Sequence, residues 1–248
     1  EREPYLECFC CPPNLVRTVA RVSSWAYGLT ENGLAINLFG ANQLNTTLQD
    51  QSELKLRQLT NYPWEGKVTL VIESCKATPF EILIRIPKWA DGTQITINGH
   101  TIKTAVDAGR YAKLEQTWQP GDEISIQFPM ETQLIEGHPR IEEVRNQVAI
   151  KRGPIVYCME SPDLPKDTDI LNVYLNAKAD LKVHHQPDFL GGISTIEGDF
   201  LLRKDAGQGM YRNIQQPKFE SYSTQLVPYF AWSNRGLAEM TVFLPVVW

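Results

Sequence analysis

The chain has 248 residues, of which 42% are hydrophobic and 21% charged, a composition typical of a globular protein that buries one large core or two smaller ones. A formal net charge of -5 and a pI near 5.5 argue against nucleic acid or an anionic membrane as the main partner, because both select basic patches. No run of about 18 apolar residues occurs, so the sequence predicts no membrane span.

The first chemical feature is a cluster of cysteines. Cys8, Cys10 and Cys11 are three of the chain's five cysteines, whereas Cys75 and Cys158 are isolated. Clustered thiols indicate a metal site, a nucleophile or small buried hydrophobic residues, and the C-x-C-C spacing lacks the paired C-x-x-C of typical zinc sites. An odd count favours reduced thiols over a disulfide framework. The compartment stays open between bacterial cytoplasm and periplasm.

A helix is predicted directly after the cysteines. Pro12 and Pro13 suit a first helical turn, where the missing N–H groups cost little, and Gly28 is a suitable C-terminal stop. We therefore predict one amphipathic helix from Asn14 to about Tyr27. Its apolar stripe follows helical spacing: Leu15, Val19, Val22 and Ala26.

Beyond Gly28 the hydrophobic period changes from 3.6 to 2, which is typical of half-buried strands. The alternating apolar sets are Leu34/Ile36/Leu38, Val68/Leu70/Ile72, Ile82/Ile84/Ile86, Ile95/Ile97 and Ile124/Ile126/Phe128. Asn98-Gly99 predicts a two-residue hairpin turn, and Pro120-Gly121 fits the two central positions of a type II turn. Successive strands without intervening helices predict an antiparallel β-sandwich.

A second domain is predicted after a charged, poorly patterned stretch from Met130 to Arg145. New strands are indicated at 148–150 and 155–157, and the prolines and glycines between Ser161 and Lys218 predict long loops and short strands. A closing strand is predicted from the apolar series 240–244 and 246–248, with Pro245 tolerated only at a sheet edge or strand end.

Several motifs in this order resemble one protein family. They are Cys10-Cys11-Pro12-Pro13-Asn14 with Arg17, Ile86-Pro87-Lys88-Trp89-Ala90, Ile97-Asn98-Gly99, Trp118-Gln119-Pro120-Gly121-Asp122, Arg152-Gly153-Pro154-Ile155-Val156-Tyr157 and Pro228-Tyr229-Phe230-Ala231-Trp232-Ser233-Asn234-Arg235-Gly236. Each sandwich motif is weak alone, but together they resemble the C-terminal part of the bacterial glycoside hydrolases typified by β-L-arabinofuranosidase, once known as a domain of unknown function.

The resemblance implies an (α/α)6 barrel that carries the active site, followed by two β-sandwich domains. The expected fold is therefore mainly β, with two antiparallel sandwiches preceded by a short helical remnant of the barrel. The implied boundaries are residues 1–28 for the end of the barrel, 29–131 for the first sandwich and 132–248 for the second.

The resemblance also implies the chemistry of the cysteines. In this family the first cysteine of the pair is the nucleophile of a retaining mechanism, and the second binds a zinc ion that also contacts the nucleophile. By motif these are Cys10 as the catalytic residue, with Cys10 and Cys11 as metal ligands. The family's acid/base glutamate, and the glutamate and cysteine that complete the zinc site, lie before Glu1. The resemblance assigns neither Glu7 nor Cys8 as a ligand.

The expected function is thus the C-terminal portion of a retaining glycoside hydrolase that acts on L-arabinofuranosyl or related glycosides. The partners are a carbohydrate substrate and a missing N-terminal barrel segment or chain, with no nucleic acid and no membrane. Alone, the chain is expected to be inactive and to bind zinc weakly or not at all. The alternative is a non-catalytic sandwich module that supports the barrel or contacts glycan.

Other polar and aromatic features have simpler structural interpretations. The tryptophans are expected in cores or interfaces, although their rings could stack on sugars. A loop-anchoring hydrogen bond is expected for Arg235 rather than a ligand contact. His184-His185 has no third metal ligand at usable spacing. The acidic pair Glu142-Glu143 is expected on a solvated face.

Overall fold

The computed structural model describes residues 2, 3, 5, 7–204 and 209–248 and is mainly β. It divides into two compact units. The first unit is Tyr5–Met130, and the second is Glu131–Trp248 together with Glu1–Pro4. Among the residues described, no helix has the length and apolar character needed to cross a membrane.

The first unit opens with helix α1, Cys11–Trp25. The predicted helix is confirmed, but it begins at Cys11 rather than Asn14, so that both prolines lie in the first turn. No residue of α1 is buried. Its apolar side chains are exposed: Leu15 by 64%, Val16 by 67%, Val19 by 64%, Val22 by 46% and Trp25 by 47%.

Ten strands follow α1 in the first unit. They are β1 (Tyr27–Thr30), β2 (Gly33–Ile36), β3 (Asn42–Thr47), β4 (Glu53–Thr60), β5 (Lys67–Ser74), β6 (Pro79–Arg85), β7 (Gln94–Ile97), β8 (His100–Thr101), β9 (Tyr111–Thr117) and β10 (Glu123–Gln127). One sheet has the order β1-β2-β6-β9 and the other β3-β4-β5-β10-β7-β8.

Both sheets contribute to one hydrophobic core. Buried and exposed side chains alternate along β4: Leu54 and Leu56 are buried, while Glu53, Lys55 and Arg57 are exposed. The pleat sends successive side chains to opposite faces, so a period of 2 produces one apolar face and one polar face. The predicted apolar sets of this unit accordingly supply most of the core.

The turns of this unit agree with the sequence prediction. Asn98 and Gly99 join β7 to β8 with φ of 49° and 79°, as a type I′ turn requires. At Pro120-Gly121 the amide of Asp122 donates to the carbonyl of Gln119 over 3.1 Å, and Gly121 has a φ of 94°. These are the hydrogen bond and the positive φ of a type II turn.

One pairing in the first unit differs from the prediction of wholly antiparallel sheets. Strands β2 and β6 pair in parallel, with Gly33 opposite Glu81. Because β3, β4 and β5 of the other sheet lie between them in sequence, the chain makes the crossover that a parallel pair needs. A Cβ atom at Gly33 would lie 2.0 Å from the carbonyl oxygen of Glu81, so this close approach requires glycine.

The described residues of the second unit form nine strands. They are β11 (Thr132–Glu136), β12 (Gln147–Arg152), β13 (Ile155–Glu160), β14 (Val173–Asn176), β15 (Lys182–Gln186), β16 (Ile193–Arg203), β17 (Phe219–Pro228), β18 (Met240–Thr241) and β19 (Phe243–Val247). Short 3-10 helices connect them at Glu142–Val144, Ser161–Asp163, Ile170–Asn172 and Tyr229–Ala231.

The strand pairings of the second unit form a closed cycle. They run from β12 through β19, β14, β16, β17 and β13, and the β12–β13 hairpin returns to β12. The unit therefore contains a small β-barrel, which the prediction of an antiparallel sandwich did not anticipate. Closure depends on the parallel pair β14–β19, a long-range contact that strand periodicity does not reveal.

Three details of the second unit correct the sequence prediction. The stretch 130–145 contains strand β11, and the region predicted to hold only short strands contains β16, which has 11 residues. Pro245 lies inside β19, an internal strand. It is tolerated because its pairing with Gln147 ends the β12 ladder, whereas pairing with β14 begins only at Val246.

Candidate functional site

Three thiols meet at the start of α1. The Sγ atom of Cys10 lies 3.4 Å from that of Cys8 and 3.5 Å from that of Cys11. All three sulfur atoms lie within 4.8 Å of one another. We call Cys8, Cys10 and Cys11 the thiol cluster. Among the described residues it is the one group of at least three metal-ligating side chains with this geometry.

The local fold explains why the thiols converge. Cys10 is the N-cap of α1, and its carbonyl accepts the first helical hydrogen bond from the amide of Asn14 at 3.1 Å. Cys11 is the first helical residue, and Cys8 approaches from the preceding bend. A helix N-terminus favours negative charge, so it suits thiolates better than thiols.

The thiols of the cluster have different acidities. The pKa of Cys8 is lowered to about 7, chiefly because the backbone amides of Cys11 and then Cys10 donate hydrogen bonds to its sulfur. The pKa of Cys11 is raised, because hydrogen bonding with the Cys10 and Cys8 side chains favours its protonated form. Without a metal, Cys8 is therefore the more readily ionised of the two.

The other two cysteines have structural roles. Cys75 is half-buried, and its thiol donates to the Trp118 carbonyl over 3.3 Å. Cys158 is buried in β13, where desolvation raises its thiol pKa to about 12. All five cysteines are free thiols, as the odd count predicted.

A cluster of charged side chains forms around Arg235 in the second unit. The Arg235 guanidinium donates to the Glu160 carboxylate over 2.6 Å and to the Asp163 carboxylate over 2.8 Å. Glu160 is fully buried and also accepts a hydrogen bond from the Ser233 amide at 2.8 Å. We call Glu160, Asp163 and Arg235 the Arg235 cluster. Arg235 thus anchors its loop, as expected, through a buried ion pair.

The remaining candidates have structural partners. The carboxylate of Glu197 lies 3.4 Å from His184, and Ser194 lies 3.2 Å from His185. The two histidines are adjacent on β15, so their side chains leave opposite faces and cannot share a metal. Glu142 and Glu143 are exposed, in agreement with a solvated face.

The tryptophans occupy several environments. Trp118 is fully buried, and its indole N–H donates to the Phe80 carbonyl over 2.9 Å. In the second unit, the Arg2 guanidinium lies 5.8 Å from the ring centroid of Trp232. Trp25 and Trp248 are exposed. Trp118 thus has the core position expected for the tryptophans.

The structure brings together both predicted site residues, Cys10 and Cys11, and adds Cys8. Cys8 was not predicted as a site residue, because the family resemblance assigns no role to it. The C-x-C-C spacing was the available signal, since a bend between Cys8 and Cys10 suffices to bring their sulfur atoms together.

The donor set of the thiol cluster fits zinc. Zinc binds thiolates at about 2.3 Å in tetrahedral sites, which separates sulfur ligands by about 3.8 Å. The sulfur–sulfur distances from Cys10 to Cys8 and Cys11, 3.4 Å and 3.5 Å, lie close to that spacing. Soft thiolates also favour zinc over Mg²⁺ or Ca²⁺, which prefer oxygen ligands.

Comparisons with known proteins place the chain in a class and then in a family. The model of the β-L-arabinofuranosidase GH127 middle domain matches residues 33–130, and that of the glycoside hydrolase family 127 C-terminal domain matches residues 132–245. Both models describe domains of glycoside hydrolases. The chain belongs to glycoside hydrolase family 127 and contains the middle and C-terminal domains of that family.

Individual relatives agree with this assignment. A non-reducing end β-L-arabinofuranosidase from Bifidobacterium longum subsp. longum is 32% identical over 98% of this chain and 38% of its own length. A GH127 β-L-arabinofuranosidase from Geobacillus stearothermophilus T6 is similar in structure, with a TM-score of 0.90, 35% identity and coverage of 99% of this chain and 39% of the other. A further solved structure, described as a glycoside hydrolase, gives a TM-score of 0.93 at 38% identity, covering 100% and 41%. The chain therefore spans about two fifths of the length of these relatives.

Proposed function

We propose that the chain is the C-terminal portion of a retaining glycoside hydrolase that acts on L-arabinofuranosyl or related glycosides. Cys10 is its nucleophile, and Cys10 and Cys11 are zinc ligands. The observation that carries this proposal is the position of the Cys10 sulfur, exposed at the N-terminus of α1 and within 3.5 Å of the Cys11 sulfur. Membership of family 127 supports the substrate class.

The first chemical step is attack of the Cys10 sulfur on the anomeric carbon. A C–S bond forms while the glycosidic C–O bond breaks, and a carboxylic acid protonates the leaving oxygen. In the second step, water attacks the anomeric carbon, the C–S bond breaks, and the same carboxylate takes the water proton. Two displacements at one carbon retain its configuration. The resemblance puts this carboxylate before Glu1.

The thiol cluster prepares Cys10 for the first step. Zinc, when bound to Cys10 and Cys11, keeps their sulfur atoms deprotonated at neutral pH. Exposure of Cys10 leaves its sulfur accessible to a sugar.

Helix α1 also belongs to this proposal. A helix with no buried residue and with Leu15, Val16 and Val19 exposed has not buried its apolar side within the described residues. We therefore assign α1 as the last piece of the helical barrel that the family resemblance implies, with its apolar side packed against the rest of that barrel in the complete protein.

The nucleophile is tested in the complete protein, including the barrel. Cys10→Ser should abolish hydrolysis of an arabinofuranoside with little loss of fold, because a serine hydroxyl is a far poorer nucleophile than a thiolate at neutral pH. Cys75→Ser is the matched control and should keep its turnover. Intact-mass and peptide mapping after reaction with a mechanism-based arabinofuranoside should find the sugar on Cys10. A label on a carboxylate would overturn the assignment.

The metal role is tested by Cys11→Ser in the same complete protein. This variant should lose zinc together with activity, because it removes a soft ligand rather than the attacking atom. Zinc is measured by elemental analysis beside turnover. Full activity with no bound zinc would contradict the assigned role.

The alternative function, a non-catalytic accessory module, is separated by activity and partners. The chain of 248 residues should hydrolyse no arabinofuranoside by itself. Addition of a separately expressed barrel segment should restore turnover. If the complete protein is also inactive on arabinofuranosides and binds glycan without cleaving it, the accessory-module function is correct instead.

A further inference from the structure

We propose that the second unit has a binding groove for a neutral sugar on the β16–β17 pair. The groove is a cavity of about 270 Å³ lined by Asp163, Glu197, Ser223, Thr224 and Gln225. We call these five residues the polar groove. All of them belong to the second unit, and the groove is a surface that the proposed function does not use.

Two strands and a short helix bring the residues of the polar groove together. Glu197 on β16 lies directly opposite Gln225 on β17, so their side chains leave the same face of the sheet. Ser223 lies two residues before Gln225 and is therefore on that face too. Asp163, at the end of the 3-10 helix after β13, is held beside β17 by two hydrogen bonds. Its carbonyl accepts from the Thr224 hydroxyl over 2.6 Å, and its carboxylate accepts from the Gln225 side-chain amide over 3.1 Å.

Folding contacts fix two of these side chains before any ligand binds. Arg235 donates to the Asp163 carboxylate over 2.8 Å, and the Asp163 side chain is only 10% exposed. The side-chain carbonyl of Gln225 accepts from the Gln186 amide over 3.0 Å, and Gln186 also donates to the Thr195 hydroxyl over 2.7 Å. Because Asp163 and Gln225 are already ordered, a ligand loses less free energy to side-chain ordering on binding.

The charges around the polar groove favour a neutral ligand. The Asp163 carboxylate is paired with Arg235, and the Glu197 carboxylate lies 3.4 Å from the His184 ring. A divalent cation would have to compete with the Arg235 guanidinium for Asp163. An anionic ligand would be repelled by both carboxylates.

The hydroxyl groups of a sugar match the hydrogen-bonding groups that line the groove. The Glu197 side chain is 48% exposed and Ser223 is exposed, so both reach solvent. A carboxylate accepts hydrogen bonds from hydroxyl groups, whereas a serine hydroxyl and a glutamine amide both donate and accept. A neutral sugar has hydroxyl groups on adjacent carbons, and each of them is both a donor and an acceptor. The polar groove therefore offers the mixture of acceptors and donors that recognises such a molecule.

The test measures sugar binding by the 248-residue chain. Trisaccharides of arabinose, galactose and xylose are the neutral probes, and oligogalacturonate and Ca²⁺ represent the anionic and cationic classes. Arabinose is included because of the proposed function, and no other part of the inference rests on that function. Isothermal titration calorimetry gives the affinity, and amide chemical shifts in NMR spectra locate the bound ligand.

Two substitutions remove exposed groups of the groove, and each has a matched control on β17. Glu197→Ala is compared with Glu220→Ala, and Ser223→Ala with Ser221→Ala, since Glu220 and Ser221 are exposed but do not line the cavity. Asp163 is left unchanged, because its loss would disturb the Arg235 cluster. Far-UV circular dichroism verifies that each variant is folded.

We expect a neutral trisaccharide to bind with millimolar affinity, because the lining residues offer hydrogen bonds but no aromatic surface. Glu197→Ala should weaken this binding by at least about 10-fold and Ser223→Ala by about 3-fold, while both controls keep the affinity of the parent chain. The proposal is overturned if none of the neutral trisaccharides binds, or if Glu197→Ala binds as well as the parent chain. Tighter binding of oligogalacturonate or Ca²⁺ at the groove would also overturn it.

Failure of this inference differs from failure of the proposed function. If the polar groove binds no sugar, the sugar label in the complete protein still maps to Cys10. If Cys10 is not the nucleophile, trisaccharide binding by this chain still depends on Glu197 and Ser223. The two measurements use different proteins and different observables, so each result identifies which proposal has failed.

Discussion

The thiol cluster and the Arg235 cluster place reactive or charged side chains in opposite environments. In the Arg235 cluster, Glu160 is fully buried and its carboxylate is bound by a guanidinium and a backbone amide. In the thiol cluster, Cys10 and Cys11 are exposed, and the Cys10 sulfur lies 3.4 Å from the Cys8 sulfur and 3.5 Å from the Cys11 sulfur. The charged groups of the Arg235 cluster are paired within their own unit. The sulfur atoms of the thiol cluster remain able to bind a ligand.

The two clusters differ in what folding requires of them. A buried carboxylate must be paired, because desolvation of an isolated charge costs several kcal/mol, so the Arg235 cluster is explained by folding. Exposed thiols at a helix N-terminus satisfy no such requirement. The three predictions below test the contrast in order of decreasing effect.

The largest effect is expected from Arg235→Met. Removal of the guanidinium leaves the Glu160 and Asp163 carboxylates in a largely buried site without their cation, which should cost about 3–5 kcal/mol of unfolding free energy. The hydrogen bonds to Asp163, followed by those to Glu160, raise the pKa of Arg235. The site therefore stabilises the positive charge of the guanidinium, which this substitution removes. Chemical denaturation followed by tryptophan fluorescence measures the change.

Two further variants serve as controls for Arg235→Met. Arg57→Met removes an ion pair with Glu73 in which the arginine is half-exposed, and it should cost less than about 1 kcal/mol. Adding Glu160→Gln to Arg235→Met should recover part of the loss, because the uncompensated charge disappears. If the Arg235→Met protein is as stable as the parent chain, the Arg235 cluster is not explained by folding.

A matched pair of valines extends the contrast to apolar side chains. Val227 in β17 is fully buried, and Val227→Ala should cost about 1.5–3 kcal/mol through lost burial and a residual cavity. Val19 on α1 is 64% exposed, and Val19→Ala should change stability by less than about 0.5 kcal/mol. Thermal and urea unfolding of both variants give the values. A large cost at Val19 would show that α1 is packed in solution.

The smallest effect concerns thiol reactivity in metal-free protein. Because the thiolate is the reactive form, alkylation of Cys8 by iodoacetamide should rise with pH around a midpoint of about 7, below the ordinary thiol pKa of 9.0. Cys158, with its pKa raised to about 12 by burial, should remain unlabelled at pH 8. Peptide mass mapping follows each site. A Cys8 midpoint near 9 would contradict the hydrogen-bonded thiolate.

Local features of the fold followed from the sequence. The helix, the alternating core positions of the first unit and the two glycine turns depend on neighbouring residues, and the periodicity of the chain contains that information. The parallel pairs β2–β6 and β14–β19 and the closed cycle of the second unit did not follow. Such pairings join segments far apart in sequence, and a strand pattern does not specify its partner.

The candidate site was partly predictable for the same reason. Cys10 and Cys11 were identified by a motif of adjacent residues, whereas the position of Cys8 depends on how one bend directs its side chain. The Arg235 cluster joins residues more than 70 positions apart, so the sequence predicted the anchoring role of Arg235 without its partners.

The contact at Gly33 has an evolutionary consequence. A substitution at the buried neighbours Leu34 or Ile36 changes side-chain volume, which adjacent core residues can offset by repacking. A side chain at Gly33 would instead meet the backbone of Glu81, and no second substitution can remove a carbonyl oxygen. Across related sequences that keep the parallel pair, position 33 should therefore tolerate less variation than the hydrophobic positions beside it.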